Sequence, residues 1–339
     1  MSDAALDRSM ARNQLAPLLA VDNLAVAYAV RSPAFWGRPS NVRPVDGVSI
    51  SVHAGEVLAL VGESGCGKTT LARAITGLVE PSAGRVLLDG TDVTGFRGAS
   101  GKSLRAQVQM VFQDPFESLN PRKTVGATLA QPLRIHRIVP AAALPGEVAR
   151  LLALVGLERD AMNCYPHEFS GGQRQRIGIA RAIAPRPRLV VADEAVSALD
   201  ISIRAQLLAL LKRLQGELKL SLLFITHDLG VVRSFADRVA VMYLGRIVEA
   251  GPTERVFTAP AHPYTRALLA ATPEPDPVEA RRAPRPLLGG DVPSLHAIPR
   301  GCRFHPRCPQ AFARCDVAEP RAVEVAGGGN AVCHLLDRV

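Results

Sequence analysis

Gly62-Glu63-Ser64-Gly65-Cys66-Gly67-Lys68-Thr69 has the spacing G-x-x-x-x-G-K-[ST], and these residue types at this spacing suit the binding of phosphate. Glycines let successive backbone N–H groups point at phosphate oxygens, and a following helix adds the partial positive charge of its N-terminus. Lys68 can reach the β- and γ-phosphates of a nucleotide, the Thr69 hydroxyl can ligate Mg²⁺, and Thr70 joins the set expected to contact the nucleotide. Cys66 takes a variable position of the loop and reads as packing rather than redox chemistry. Further along, Asp193-Glu194 closes the apolar run Leu189-Val190-Val191-Ala192. Asp193 at the C-terminal end of a buried strand is placed for the Mg²⁺ shell, and Glu194 can polarise an attacking water. Ser170-Gly171-Gly172-Gln173 opens a helix bearing Arg174 and Arg176, a second helix N-terminus suited to a phosphate.

Positioning these groups takes an alternation of strands and helices. Val57-Leu58-Ala59-Leu60-Val61 before the glycine loop and Leu71-Ala72-Arg73-Ala74-Ile75 after it read as strand, loop, helix. Leu18 to Val21 and Leu24 to Tyr28 look like two early strands, and Val86 to Asp89 like a third. From Gln206 to Leu218 the leucines 207, 208, 210, 211 and 214 form a helical stripe, and two more buried strands follow at Leu222–Ile225 and Val239–Met242. Between Leu104 and Pro187 the pattern is mostly helical, which predicts a helical insert on an α/β core.

At 339 residues the chain exceeds the usual size of one core, so about two domains are expected. The aliphatic-rich, aromatic-poor composition agrees with buried parallel strands. No apolar run is long enough to span a bilayer, and the N-terminus lacks the pattern of a secretory signal, so a cytoplasmic chain is expected. Residues 1–16 read as a disordered tail. The net charge of +9 is carried by scattered arginines and reads as a solvated basic surface rather than a nucleic-acid footprint. Six cysteines in such a chain argue against a disulfide framework.

With Phe169 preceding Ser170-Gly171-Gly172-Gln173, the chain resembles the ATP-binding cassette (ABC) family, whose signature motif reads Leu-Ser-Gly-Gly-Gln. Other family elements stand in order. Gln113 matches the Q-loop glutamine, Ser197-Ala198-Leu199-Asp200 the D-loop, and His227 the switch histidine that contacts the γ-phosphate. Tyr28 sits where the family stacks an aromatic on adenine, with Trp36 as its rival. Ala195 stands where proline often follows the catalytic glutamate, a departure that removes no reacting group. The resemblance covers residues 17–257 and implies an α/β fold: a P-loop NTPase cassette with a RecA-like core, an antiparallel β subdomain, a helical subdomain and an irregular C-terminal extension over 258–339. It implies catalytic roles for Glu194, His227, Gln113 and Lys68, nucleotide contacts from Gly62, Ser64, Gly65, Cys66, Gly67, Lys68, Thr69, Thr70, Gln113 and Asp193, and Mg²⁺ held by Thr69, Gln113 and Asp193. It also implies that two cassettes sandwich ATP head to tail, each lending its signature to the partner's nucleotide.

Local features are similar to the oligopeptide/dipeptide importers specifically. These are the segment Asp114 to Arg122, Tyr165-Pro166-His167-Glu168 before the signature, and the tail stretches His262 to Thr265 and Gly301 to Pro309. The resemblance implies two transmembrane permease subunits, a second ATPase (a copy or a paralogue), an extracytoplasmic solute-binding protein and a place on the cytoplasmic face of the inner membrane. It puts the permease contact at Phe116 to Arg122. Nickel importers share much of this pattern. A soluble ABC ATPase acting on nucleic acid or ribosomes is the reading from another class, although such factors usually carry two cassettes and this chain has one signature. Cys302, Cys308, Cys315 and Cys333, spaced C-x5-C-x6-C-x17-C, could hold a metal. Thiolates in fours suit a [4Fe–4S] cluster or zinc, with His305 and His334 as spare ligands, and the resemblance implies the cluster. A proline-rich tail with little core of its own gains from such a staple.

Overall fold

The computed structural model describes residues 16–30, 40–96, 98–114, 118–196, 200–271, 291 and 293–338. Two long strands, β1 (Leu19–Val30) and β2 (Ser40–Val52), are followed by β3 (Val57–Val61), helix α1 (Lys68–Ile75), β4 (Ala83–Leu88) and β5 (Thr91–Asp92). Helix α2 (Gly98–Gln107) and β6 (Val108–Val111) lead into three helices, α3 (Val125–Ile135), α4 (Leu144–Leu154) and α5 (Gly171–Ile183). Strands and helices then alternate through β7 (Leu189–Asp193), α6 (Ile201–Glu217), β8 (Ser221–Ile225), α7 (Leu229–Phe235), β9 (Arg238–Tyr243) and β10 (Arg246–Pro252). Beyond them lie α8 (Thr253–Thr258), α9 (Pro263–Ala270), α10 (Ala313–Val317), β11 (Ala322–Glu324) and β12 (Asn330–Val332).

The strands form two sheets. Four pair antiparallel in the order β2-β1-β4-β5, and eight form the order β11-β12-β10-β9-β3-β8-β7-β6. Pairing is parallel from β9 through β3, β8 and β7 to β6, and antiparallel on the β10 side. The central strands read as unbroken apolar runs because both of their faces are covered. Alternate residues sort between layers. Val190, Ala192, Leu222 and Phe224 face the cluster built with α3, α4 and α5, while Leu189, Val191, Leu223 and Ile225 face α1 and the antiparallel sheet.

Three expectations are revised. The two early strands are one, β1, whose pairing with β2 shifts register between Val21 and Leu24. Asn23, in left-handed backbone (φ 48°), absorbs the irregularity, so a break in the alternation does not end the strand. The tail, expected to be irregular, adds two strands to the edge of the larger sheet, where Ala331 and Asn330 pair with Glu249 and Ala250. Leu119, expected at a permease-contacting surface, is buried in the cluster of α3, α4 and α5 at 4% exposure. Phe116, the disordered-tail expectation for residues 1–15, and Ser197, Ala198 and Leu199 lie outside the described residues. Among the described residues no helix is long and apolar enough to cross a membrane.

Candidate nucleotide-binding and hydrolysis site

The glycine loop sits between the C-terminal end of β3, an interior strand of the larger sheet, and the first turn of α1. Gly67 caps α1 with φ 110°, and a Cβ there would stand 1.9 Å from the carbonyl oxygen of Pro44 in β2. Only glycine fits, because the antiparallel sheet lies directly over the loop. Ser64 and Gly65 are exposed, while Gly62, Cys66, Gly67 and Lys68 are buried and Thr69 and Thr70 half-buried. Burial pushes the Cys66 thiol up, in keeping with a packing role. The Lys68 ammonium turns back along the loop and donates to the carbonyls of Gly62 (2.8 Å) and Glu63 (3.0 Å). An ammonium held at 5% exposure by loop carbonyls is a fixed positive charge beside exposed backbone, which is what a phosphate chain requires.

The acidic pair ends β7. Asp193 is 3% exposed and accepts from the Thr69 hydroxyl at 3.3 Å. Burial pushes its carboxyl above the usual carboxylate range, an effect that a divalent cation between Asp193 and Thr69 would reverse. Glu194 turns out of the strand with φ 46°, and its N–H donates to Ile225 O on β8 at 3.0 Å. Its carboxylate is bracketed: Gln113 Nε2 donates to it at 3.1 Å, and His227 Nδ1 lies 3.4 Å away. Gln113 and His227 follow β6 and β8, so the tips of neighbouring parallel strands converge on one carboxylate. The donor set therefore fits a nucleotide with its Mg²⁺.

Ser170 caps α5 through a reciprocal box. Its hydroxyl accepts from Gln173 N–H at 3.3 Å, and the Gln173 side chain accepts from Ser170 N–H at 3.0 Å. Ser170, Gly171 and Gln173 are exposed, whereas Gly172 is buried against Ile203. Buried Gln175, one turn on, donates to Phe112 O at 3.1 Å, next to Gln113. That bond ties the signature helix to the Q-loop, a contact no motif announced. Tyr28 is 41% exposed and pairs with Val42, two residues from Pro44, so it lies on the strand pair that covers the loop. Its rival Trp36 lies outside the described residues.

The ABC transporter family model matches residues 45–197, and the model of the oligopeptide/dipeptide transporter C-terminal region matches residues 248–315. Over 319 residues the chain is 49% identical to the "Probable peptide ABC transporter ATP-binding protein y4tS" of Sinorhizobium fredii, covering 94% of this chain and 90% of that one. The chain belongs to the ABC transporter ATP-binding proteins. It is 47% identical to the oligopeptide transport ATP-binding protein OppF of Salmonella typhimurium, over 89% of this chain and 92% of that one. CbiO1 of Clostridium perfringens, a solved structure described as part of the ABC transporter complex CbiONQ, superposes with a TM-score of 0.61. It is 27% identical and covers 72% of this chain and 91% of its own. As a member of this family the chain is an ATPase with the cassette fold expected from its motifs.

The tail thiols of this ABC protein come together. Cys302, Cys308, Cys315 and Cys333 line one small enclosed cavity with His262, Phe304 and His334, and none is in a disulfide. Burial, with the other three thiols adding to it, pushes Cys302 up to about 11. Even so, among the described residues no group of three or more His, Cys, Asp or Glu stands at metal-holding geometry. The two spare histidines are engaged elsewhere, His305 Nδ1 with Cys302 O at 2.9 Å and His334 Nε2 with Ala318 O at 2.8 Å.

Proposed function

We propose that this chain hydrolyses ATP to drive uptake of di- or oligopeptides through separate permease subunits. The observation that carries the hydrolytic part is the Glu194 carboxylate, held between Gln113 and His227 beside the Thr69–Asp193 pair. In this reading the loop residues Gly62, Ser64, Gly65, Cys66, Gly67, Lys68, Thr69 and Thr70 bind the phosphates of ATP, with the Lys68 ammonium among the donors, and Tyr28 stacks on the base. Thr69, Asp193 and Gln113 would hold Mg²⁺, which neutralises phosphate charge when bound. Glu194 accepts a proton from the attacking water while that oxygen bonds to the γ-phosphorus and ADP leaves. His227 orients the γ-phosphate side of the site. The exposed Ser170, Gly171 and Gln173, with Gly172 bringing the helix close, serve the nucleotide of a second ATPase subunit. Closure on ATP and reopening after hydrolysis then work the permeases.

Peptide cargo is supported by the names of the most similar relatives and by the matched C-terminal region. The reading includes a nucleotide-binding domain over 17–257, an extension over 258–339, two permeases, an extracytoplasmic binding protein and a peripheral position on the cytoplasmic face of the inner membrane. It also takes the four tail thiols as ligands of a structural [4Fe–4S] cluster. Its support is their shared cavity and freedom from disulfides; zinc is the competing soft-ligand metal. Purification of the tagged chain from detergent-solubilised membranes tests the assembly. Two hydrophobic subunits should come down with it, and recovery with ribosomes alone would overturn the transport reading.

A further inference from the structure

Glu63 occupies a variable position of the phosphate loop, yet each of its polar groups is held. Its carbonyl accepts from Lys68, as above. Its N–H donates to the Tyr264 hydroxyl at 3.0 Å, and its carboxylate accepts a bidentate pair from Arg307, at 2.7 and 3.0 Å. Tyr264 and Arg307 both belong to the C-terminal extension, more than two hundred residues along the chain, with sequence separations of 201 and 244. The holders are themselves fixed. Tyr264 is fully buried, packs 4.6 Å from Tyr243 and 5.4 Å from Phe304, and its N–H donates to His262 Nδ1 at 3.0 Å. His262 and Ala261 donate their N–H groups to the wholly buried carboxylate of Glu249, at 2.9 Å each. The Arg307 side chain is 5% exposed and its guanidinium lies 5.9 Å over the Tyr243 ring. Arg303, in the same short turn, bonds to Leu244 O and Asp46.

This geometry has an electrostatic consequence. A bare carboxylate at Glu63 would stand in the same loop that must accept a triphosphate, and like charges in a partly buried site repel. The Arg307 fork cancels that charge and pins the side chain, while the Tyr264 hydroxyl fixes the direction of the Gly62–Glu63 peptide. We propose that Arg307, with Tyr264, is a positioning residue of the phosphate loop: the extension neutralises and aligns Glu63, so that MgATP affinity depends on the tail. Arg307 lies between Cys302 and Cys308, so whatever orders the thiol cavity also orders this clamp.

The inference rests on the nucleotide reading of the loop, and one titration separates the two. MgATP binding is measured on the full chain in a Glu194→Gln background, alone and with Arg307→Met, Glu63→Gln or both. Steady-state KM and kcat are taken for the same changes with Glu194 intact. Arg307→Met should raise Kd and KM for MgATP about tenfold and leave kcat at saturation within about twofold. Adding Glu63→Gln to Arg307→Met should recover part of that loss, because the uncompensated charge is gone; a merely structural tie predicts no recovery. Arg307→Lys should fall between parent and Arg307→Met. Failure of the unsubstituted background to bind MgATP would overturn the nucleotide reading itself. Parental affinity in Arg307→Met, or a double variant no better than Arg307→Met, would overturn the clamp alone.

Discussion

Glu194 holds a left-handed backbone conformation that costs a non-glycine residue about 1–3 kcal/mol, and the surroundings over-determine it. Its N–H is tied to β8 and its carboxylate lies between Gln113 and His227. Its type and its place after an apolar strand were readable in the sequence; the turn that aims it was not, because Ala195 there lacks the rigidity of proline. Lys68 makes the same point. The motif announced its phosphate role, but its two loop-carbonyl bonds appear only in three dimensions. Lys68→Ala should weaken MgATP binding about tenfold to a hundredfold, the value of charge-assisted hydrogen bonds lost to a buried cation. Equilibrium titration checks this, and parental affinity would remove Lys68 from the site. Ser170→Ala should cost about 1 kcal/mol of stability through the lost cap. In the proposed sandwich it should also weaken ATP-driven pairing of subunits, read by light scattering with and without MgATP; pairing unchanged by the substitution would contradict the signature's role.

Among the elements, the strands of the core were the most legible, since five-residue apolar runs bounded by turn signals leave few alternatives. Connections carried less signal. Leu119 lies in a segment that looked like a docking surface, but it closes the apolar cluster of α3, α4 and α5, and nothing local distinguishes an apolar residue facing a partner from one facing its own core. Leu119→Ala should therefore lower stability by about 2–5 kcal/mol in urea unfolding, with loss of assembly only as a consequence. A variant as stable as the parent but unable to assemble would return Leu119 to the docking surface. The edge strands β11 and β12 escaped notice because three residues in a proline- and glycine-rich tail give no period. β12 pairs with β10, and β11 in turn with β12.

At the scale of the whole molecule, the extension is built onto the cassette rather than appended to it, through the sheet edge, the bonds of Ala261 and His262 to Glu249, and the Glu63–Arg307 pair. Sequence spacing grouped the four cysteines but could not show that they enclose one cavity, since their meeting depends on folds between them. Anaerobically purified chain should carry about four irons per molecule and absorb in the visible range. One equivalent of zinc, or no metal, would contradict the cluster. The central claim is that ATP hydrolysis at Glu194 powers peptide uptake. It is tested most directly in vesicles holding this chain, its second ATPase and both permeases, with MgATP on the cassette side and labelled peptide delivered by the binding protein on the other. The account predicts MgATP-dependent accumulation of peptide that falls about a hundredfold or more in Glu194→Gln while ATP still binds. Uptake at the parental rate by that variant would contradict it.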